Sequence, residues 1–381
     1  MTQQHWGGPR QPHPQGPQAP PGWGAHGFGQ SPYGRPGLVQ GGRSVYGQGG
    51  AQRPTNPPGG FGGPQPGVPH YGPPAQSPRP RSPLMSLLLG LVALSLVAIV
   101  GLVVVNGIAS SSQTAYQNDS YQVPPPDSAP PAIPLPKTYA EAADWLVNNR
   151  FYAQSAPIPV RCANPPINIT NASDAELERH FNGQVECLMR VWQPPVTSAG
   201  FVLPRPSVSI YGESITTKCG ESGVNAFYCS ADQQIYFSNL LPQAVSIVRS
   251  NKWSADVVMA HEFGHAIQGR TGLLISAHAL AQDAADERES NLMIRRLETQ
   301  ADCFAGVYTR SVSRSLGIQQ TDLRGIEDTF AAVGDDTVTG DPGIEGNHGL
   351  AVSRIYWGTT GLGTSDIGKC VTFSAPPKLV R

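Results

Sequence analysis

The chain has 381 residues, a formal net charge of -1, and 43 Gly and 38 Pro spread too unevenly for length alone to set a domain count. Its charges nearly balance and no basic stripe forms, so no nucleic acid is expected as the main partner.

Residues 1–83 are rich in Gly, Pro and Gln. They carry Arg10, Arg35, Arg43, Arg53, Arg79 and Arg81 and no acidic residue. Such a segment buries too little apolar surface to offset its conformational entropy, and it is expected to be disordered. Residues 84–105 are uncharged and apolar throughout. At about 1.5 Å per residue they are long enough to cross a hydrocarbon core of about 30 Å, so a single transmembrane helix through the lipid bilayer is expected. The long apolar run and the 83 residues before it favour an anchor over a cleaved signal peptide. Arg79 and Arg81 abut its N-terminal end and no Lys or Arg follows before Lys137. The positive-inside rule then places the tail in the cytoplasm and the C-terminal part outside the cell membrane.

Residues 106–136 are rich in Ser and Pro and read as an extended stalk. The folded domain is expected over 137–381, opening on a helix-start box at Thr138 and Glu141. A second helix is expected after Ser173, with Asp174 and Glu176 at its positive end. Short β-rich stretches follow at 207–212 and 233–238, read as a strand pair pinned by a disulfide, and beyond residue 254 the chain reads as helices. The fold class is therefore α+β, helix-dominated. All six cysteines lie beyond the apolar run. An even number on the predicted oxidising side suggests three disulfides, and sequential pairing is the arrangement preferred: Cys162 with Cys187, Cys219 with Cys229, Cys303 with Cys370.

The chemistry-bearing segment is Ser254 to Arg270, with helix-start residues Ser254 and Asp256 and a terminator at Gly272. Within it His261 and His265 are four residues apart, so both imidazoles project from one helix face toward one Zn2+. Glu262, one position along, is offset from the ligand positions and is placed as general base. Val257, Val258 and Ile267 mark the helix as largely buried, which argues against two surface histidines on an amphipathic helix. Catalytic zinc takes a third protein ligand. The HExxHxxGxxH solution fails because its Gly and His positions hold Gln268 and Thr271. Glu298 and Asp302, four residues apart in LETQAD, supply the alternative: Glu298 as ligand and Asp302 behind a ligand imidazole. The charged stretch before Glu298 reads as a mostly solvated face, whereas the small apolar residues after it bury Asp302.

Together HEFGHAIQ, LETQADCFAGVY, KCGESGVNAFYCSADQQIYF, VGDD and NHGLAVSRIYWG resemble the bacterial neutral zinc metallopeptidases, a family with a gluzincin-like site, over roughly residues 185–373. The resemblance implies a zincin-like domain with His261, His265 and Glu298 as zinc ligands and Glu262 as catalytic acid and base. Two departures stand out: Ser230 replaces the family's usual Pro, and Asn347 to Ala351 replaces a THGSS-like run. His348 survives there as a candidate for stabilising an oxyanion, and Arg354 as a candidate for binding a substrate carbonyl or carboxylate. The function expected is membrane-anchored hydrolysis of peptide bonds in envelope or extracellular proteins. The alternatives are a metal-stabilised but catalytically idle envelope-binding module, and hydrolysis of a non-peptide amide at the same ligands.

Overall fold

A computed structural model describes residues 115–381. The tail at 1–83, the span at 84–105 and residues 106–114 of the stalk lie outside the described residues. Among the described residues no helix is long and apolar enough to cross a membrane.

Side-chain caps start several of the helices. In α1 (Tyr139–Asn148) the Thr138 side chain accepts from the Glu141 N–H. Glu141 reaches back to the Lys137 N–H, one residue before the cap. In α2 (Asp174–Ser198) Ser173 and Glu176 form the full reciprocal box. The sheet comes next: β1 (Val208–Tyr211), the hairpin β2 (Ile215–Thr217) and β3 (Gly220–Ser222), then β4 (Ala226–Cys229) and β5 (Gln234–Ser238). The two expected β stretches do pair, and they pair in parallel, Val208 opposite Ile235. The β4–β5 hairpin puts β4 on the far edge, in the order β1-β5-β4.

Two short helices, α3 (Leu241–Ala244) and α4 (Ser246–Ser250), lead into α5 (Ser254–Arg270). Here one part of the expected start signal is corrected: Asp256 is the acid of the first turn, but Ser254 is not the cap. Trp253 is the cap and makes no side-chain cap bond, while the Ser254 hydroxyl bonds that of Thr329 at 2.6 Å. Gly272, at φ +78, ends the run in the left-handed region that glycine adopts without a Cβ penalty. It turns the chain into α6 (Leu273–Gln282). The long α7 (Glu287–Leu316) follows, then α8 (Gln320–Ala332), α9 (Asp335–Thr339) and α10 (Ala351–Leu362).

Among the described residues a large apolar core joins most of these elements, and a second small cluster of Tyr211, Cys219, Phe227, Cys229 and Tyr236 packs at the β2–β3 hairpin. Phe151, Trp192 and Phe304 meet at ring-centroid distances of 5.4 to 6.1 Å, locking the segment after α1 and α2 onto α7. Disulfides join Cys162 to Cys187, Cys219 to Cys229 and Cys303 to Cys370. The second ties the β2–β3 hairpin to β4. The third ties α7 to the C-terminal segment.

The expected stalk differs over its described part, 115–136. It lies along the domain: the Gln117 N–H donates to Pro159 O at 2.8 Å, Asp127 N–H to Arg205 O at 3.1 Å, and the Arg270 guanidinium to Pro131 O at 2.6 Å. The bonds run both ways: the segment's N–H groups donate at Gln117 and Asp127, and domain side chains take up carbonyls that a Pro-rich backbone leaves unpaired, Arg270 and Gln233 at Pro131 and Arg205 at Pro124. The reading of the first turns of α7 as a solvated face also fails at Arg295 and Arg296, which are buried. They donate to the carbonyls of Gly346 and Val380 and of Thr372 and Ala375, pinning the last residues to α7.

Helix α10 lies against α7 at very short range. A Cβ on Gly306 would stand 2.1 Å from the Gly358 carbonyl oxygen and 2.8 Å from the Leu362 nitrogen. Helix propensity favours alanine over glycine by about 1 kcal/mol. Overlap with backbone atoms that cannot rotate away outweighs it, and overpacking of this kind costs about 1–3 kcal/mol. Gly306→Ala is therefore expected to lower the stability measured by urea unfolding.

Candidate metal centre

Helices α5 and α7 carry the candidate ligands. They approach each other closely because Gly264 has no side chain: a Cβ there would lie 3.1 Å from Ala301 Cα. Gly264 sits between His261 and His265, and Ala301 between Glu298 and Asp302. The approach therefore brings the two candidate histidines up against Glu298 and Asp302.

The imidazole Nε2 atoms of His261 and His265 are 3.2 Å apart. The Glu298 carboxylate lies 3.3 Å from the first and 3.5 Å from the second. All three groups converge within 4.8 Å. Ligands held at about 2.0–2.1 Å in a tetrahedral zinc site are about 3.3–3.4 Å from one another, so the spacing fits that ion. The donor set fits too. His261 Nδ1 pairs with Asp302 Oδ1 at 2.9 Å and His265 Nδ1 with Gln268 Oε1 at 2.8 Å. With the protons on Nδ1, two Nε2 lone pairs and a carboxylate point at one locus, an arrangement that a cation satisfies.

The electrostatics separate the roles of the two glutamates. Burial raises Glu262 above the ordinary carboxylate range, with His261 and His265 opposing. Burial also acts on Glu298, yet the charges of His265 and His261 and their hydrogen bonds hold it well below that range. At His261 burial disfavours the imidazolium, but Asp302 and Glu298 outweigh it and raise the pKa, so the surroundings of this ring favour a bound cation, whether a proton or a metal at Nε2. Neighbouring acids pushed in opposite directions by their surroundings suit a proton carrier and a permanent anion. Glu262 is buried and its Oε2 accepts the Tyr228 N–H at 3.0 Å, so an amide of β4 orients the carboxylate.

Asp302, 1% exposed, lies behind His261 and also accepts from Arg354 at 2.9 Å. Arg354 itself is 2% exposed, and its second guanidinium nitrogen lies 3.9 Å from Glu298. This corrects the expectation for Arg354. It is a buried counter-ion to Asp302 on α10, since a carboxylate at that depth requires an opposite charge. His348 is held by Asp335, which meets its Nδ1 at 3.1 Å and its backbone N–H at 3.0 Å. The loop lies beside α7, where the position of a Gly349 Cβ is 3.6 Å from the Thr299 methyl.

Three contributors lay outside the sequence reading. The Tyr228 amide carries no sequence signal, since any residue but proline supplies an N–H. Gln268 appeared only as the residue that breaks the HExxHxxGxxH pattern. His278, on α6, feels the charges of His265 and Glu298, and burial followed by His265 lowers its pKa to about 4. A lone histidine in LLISAHALAQ offers no spacing by which to find it.

The family described as "Putative neutral zinc metallopeptidase" matches residues 165–373, and the chain belongs to that family. The uncharacterized protein Rv2575 of Mycobacterium tuberculosis is 33% identical over 205 residues, which cover 49% of this chain and 67% of the relative. The uncharacterized protein Mb2605 of Mycobacterium bovis matches to the same extent. The uncharacterized protein YpfJ of Escherichia coli K12 is 28% identical over 193 residues, 48% of this chain and 66% of the relative. No solved structure matches significantly.

Widening the α5–α7 contact separates the ligands without altering any of them. Gly264→Val is expected to weaken zinc binding at least about tenfold, the range typical of lost support behind metal ligands. Chelator competition on the purified chain measures this, and unchanged affinity would remove Gly264 from the account.

Proposed function

We propose that the chain is a membrane-anchored, zinc-dependent peptidase that hydrolyses peptide bonds of envelope or extracellular proteins. The observation that carries the reading is the convergence of His261, His265 and Glu298 within 4.8 Å, with buried Glu262 oriented beside them by the Tyr228 amide. A purely structural zinc site closes its fourth position with another protein ligand and needs no adjacent base, which weighs against the idle-module alternative.

His261, His265 and Glu298 would hold the zinc, which would supply Lewis acidity to acidify a water and polarise the scissile carbonyl. Glu262 takes the proton of that water as it adds to the carbonyl carbon, then delivers it to the leaving amine nitrogen. Burial raises its pKa, which brings it nearer to working pH. Glu298 stays anionic, and Asp302, neutralised by Arg354, holds His261 in orientation. His348, steadied by Asp335, is assigned to the oxyanion of the tetrahedral intermediate. The apolar run at 84–105 anchors the protein with residues 1–83 in the cytoplasm, and three disulfides suit a domain on the oxidising side.

Purified protein is expected to contain one zinc per chain. Glu262→Gln should retain the zinc and lose peptide hydrolysis by at least about 100-fold, the lower bound for a general base. Activity equal to wild type in that variant would end the proposal. Deletion of residues 84–105 is expected to move the protein from the membrane to the soluble fraction, as fractionation would record.

A further inference from the structure

The two imidazoles of the centre are held by different chemistry. His261 donates to a carboxylate, whereas His265 donates to the neutral amide of Gln268. Gln268 is fully buried. Its Nε2 donates to Leu297 O at 2.8 Å and to Gln300 Oε1 at 3.1 Å, using both of its N–H bonds. Gln300 is fully buried in turn, and its Nε2 donates to Cys370 O and to the Tyr152 hydroxyl, both at 2.9 Å. The Tyr152 hydroxyl in turn donates to Leu146 O at 3.1 Å.

Every link of this chain has one direction. Turning the Gln300 amide over would set its oxygen against the Cys370 carbonyl. Turning the Gln268 amide over would set its oxygen against the Leu297 carbonyl. Buried oxygens facing each other without a proton cost on the order of 1–3 kcal/mol apiece. The Gln268 oxygen therefore faces His265, and an amide oxygen only accepts. Nδ1 of His265 must carry the proton, and its Nε2 keeps the lone pair.

We propose that Gln268, locked by Gln300, is a positioning residue that holds His265 in its metal-binding tautomer. The inference rests on the zinc-site reading above. It also accounts for the neutral group at this place. The Asp302 charge behind His261 has Arg354 as its counter-ion, whereas no cation is paired with Gln268, so a carboxylate there would add a buried anion needing one.

The test uses the full chain with zinc and a competing chelator. Gln268→Leu is expected to weaken zinc binding by about 10–100-fold, and Gln300→Leu, which removes only the lock, by about 3–10-fold. In nitrogen-15 spectra of the zinc-loaded chain, the His265 Nδ1 proton should exchange faster in either variant, while that of His261 stays protected. General loosening would speed both. If Gln268→Leu does not fold, Gln300→Leu carries the same two readouts. Unchanged affinity with unchanged exchange at His265 overturns the proposal while leaving the zinc reading intact. Wild type that binds no zinc overturns the zinc reading itself, and this proposal with it.

Discussion

The near-contact of α5 and α7 at Gly264 and Ala301 is the constraint on which the rest of the site depends. Three candidate ligand atoms reach 3.2 to 3.5 Å separations only if the two helix backbones come this close, because imidazole and carboxylate side chains have fixed lengths. Packed at such range, the two helices exclude solvent behind the candidate ligands, where Asp302 is 1% exposed and Gln268 is fully buried. Each charge between them must then find its partner within the protein. That demand explains Asp302 behind His261, Arg354 behind Asp302, and the amide chain behind His265.

The surrounding fold reads as a set of clamps on these two helices. Helix α10 brings Arg354 to Asp302 because Gly306 admits it at backbone range. The Cys303–Cys370 disulfide follows directly after Asp302 and fixes the segment whose carbonyl ends the Gln268–Gln300 chain. On the other side β4 presents the Tyr228 amide to Glu262, and the Cys219–Cys229 disulfide ties that strand to the β2–β3 hairpin. Support of this kind holds catalytic groups to within fractions of an ångström.

Much of this was legible beforehand because it is local. The caps at Thr138 and Ser173, the helix across Ser254 to Arg270 and the glycine turn at 272 follow from short-range backbone chemistry. Where reading failed, distant residues decided. Arg295 and Arg296 looked solvated, yet carbonyls some 50 to 85 positions later bury them. The Pro-rich segment looked like a stalk, yet donors at Arg205 and Arg270 side chains and backbone partners at Pro159 and Arg205 hold its described part to the domain. Arg354 looked available to substrate, and a carboxylate 52 residues earlier claims it.

By itself the sequence determined the pair His261 and His265, the offset of Glu262 and the pairing of Glu298 with Asp302, because helical periodicity alone puts residues i and i+4 on one face. Tertiary structure alone decided that these two faces meet. It also decided that Tyr228, 34 residues before Glu262, aims that carboxylate, and that Gln268 and Gln300 set the tautomer of His265. Those contacts join separate elements at separations with no period. What selects them is the need of each buried polar group for a partner, which is a property of the packed interior and not of any local stretch of chain.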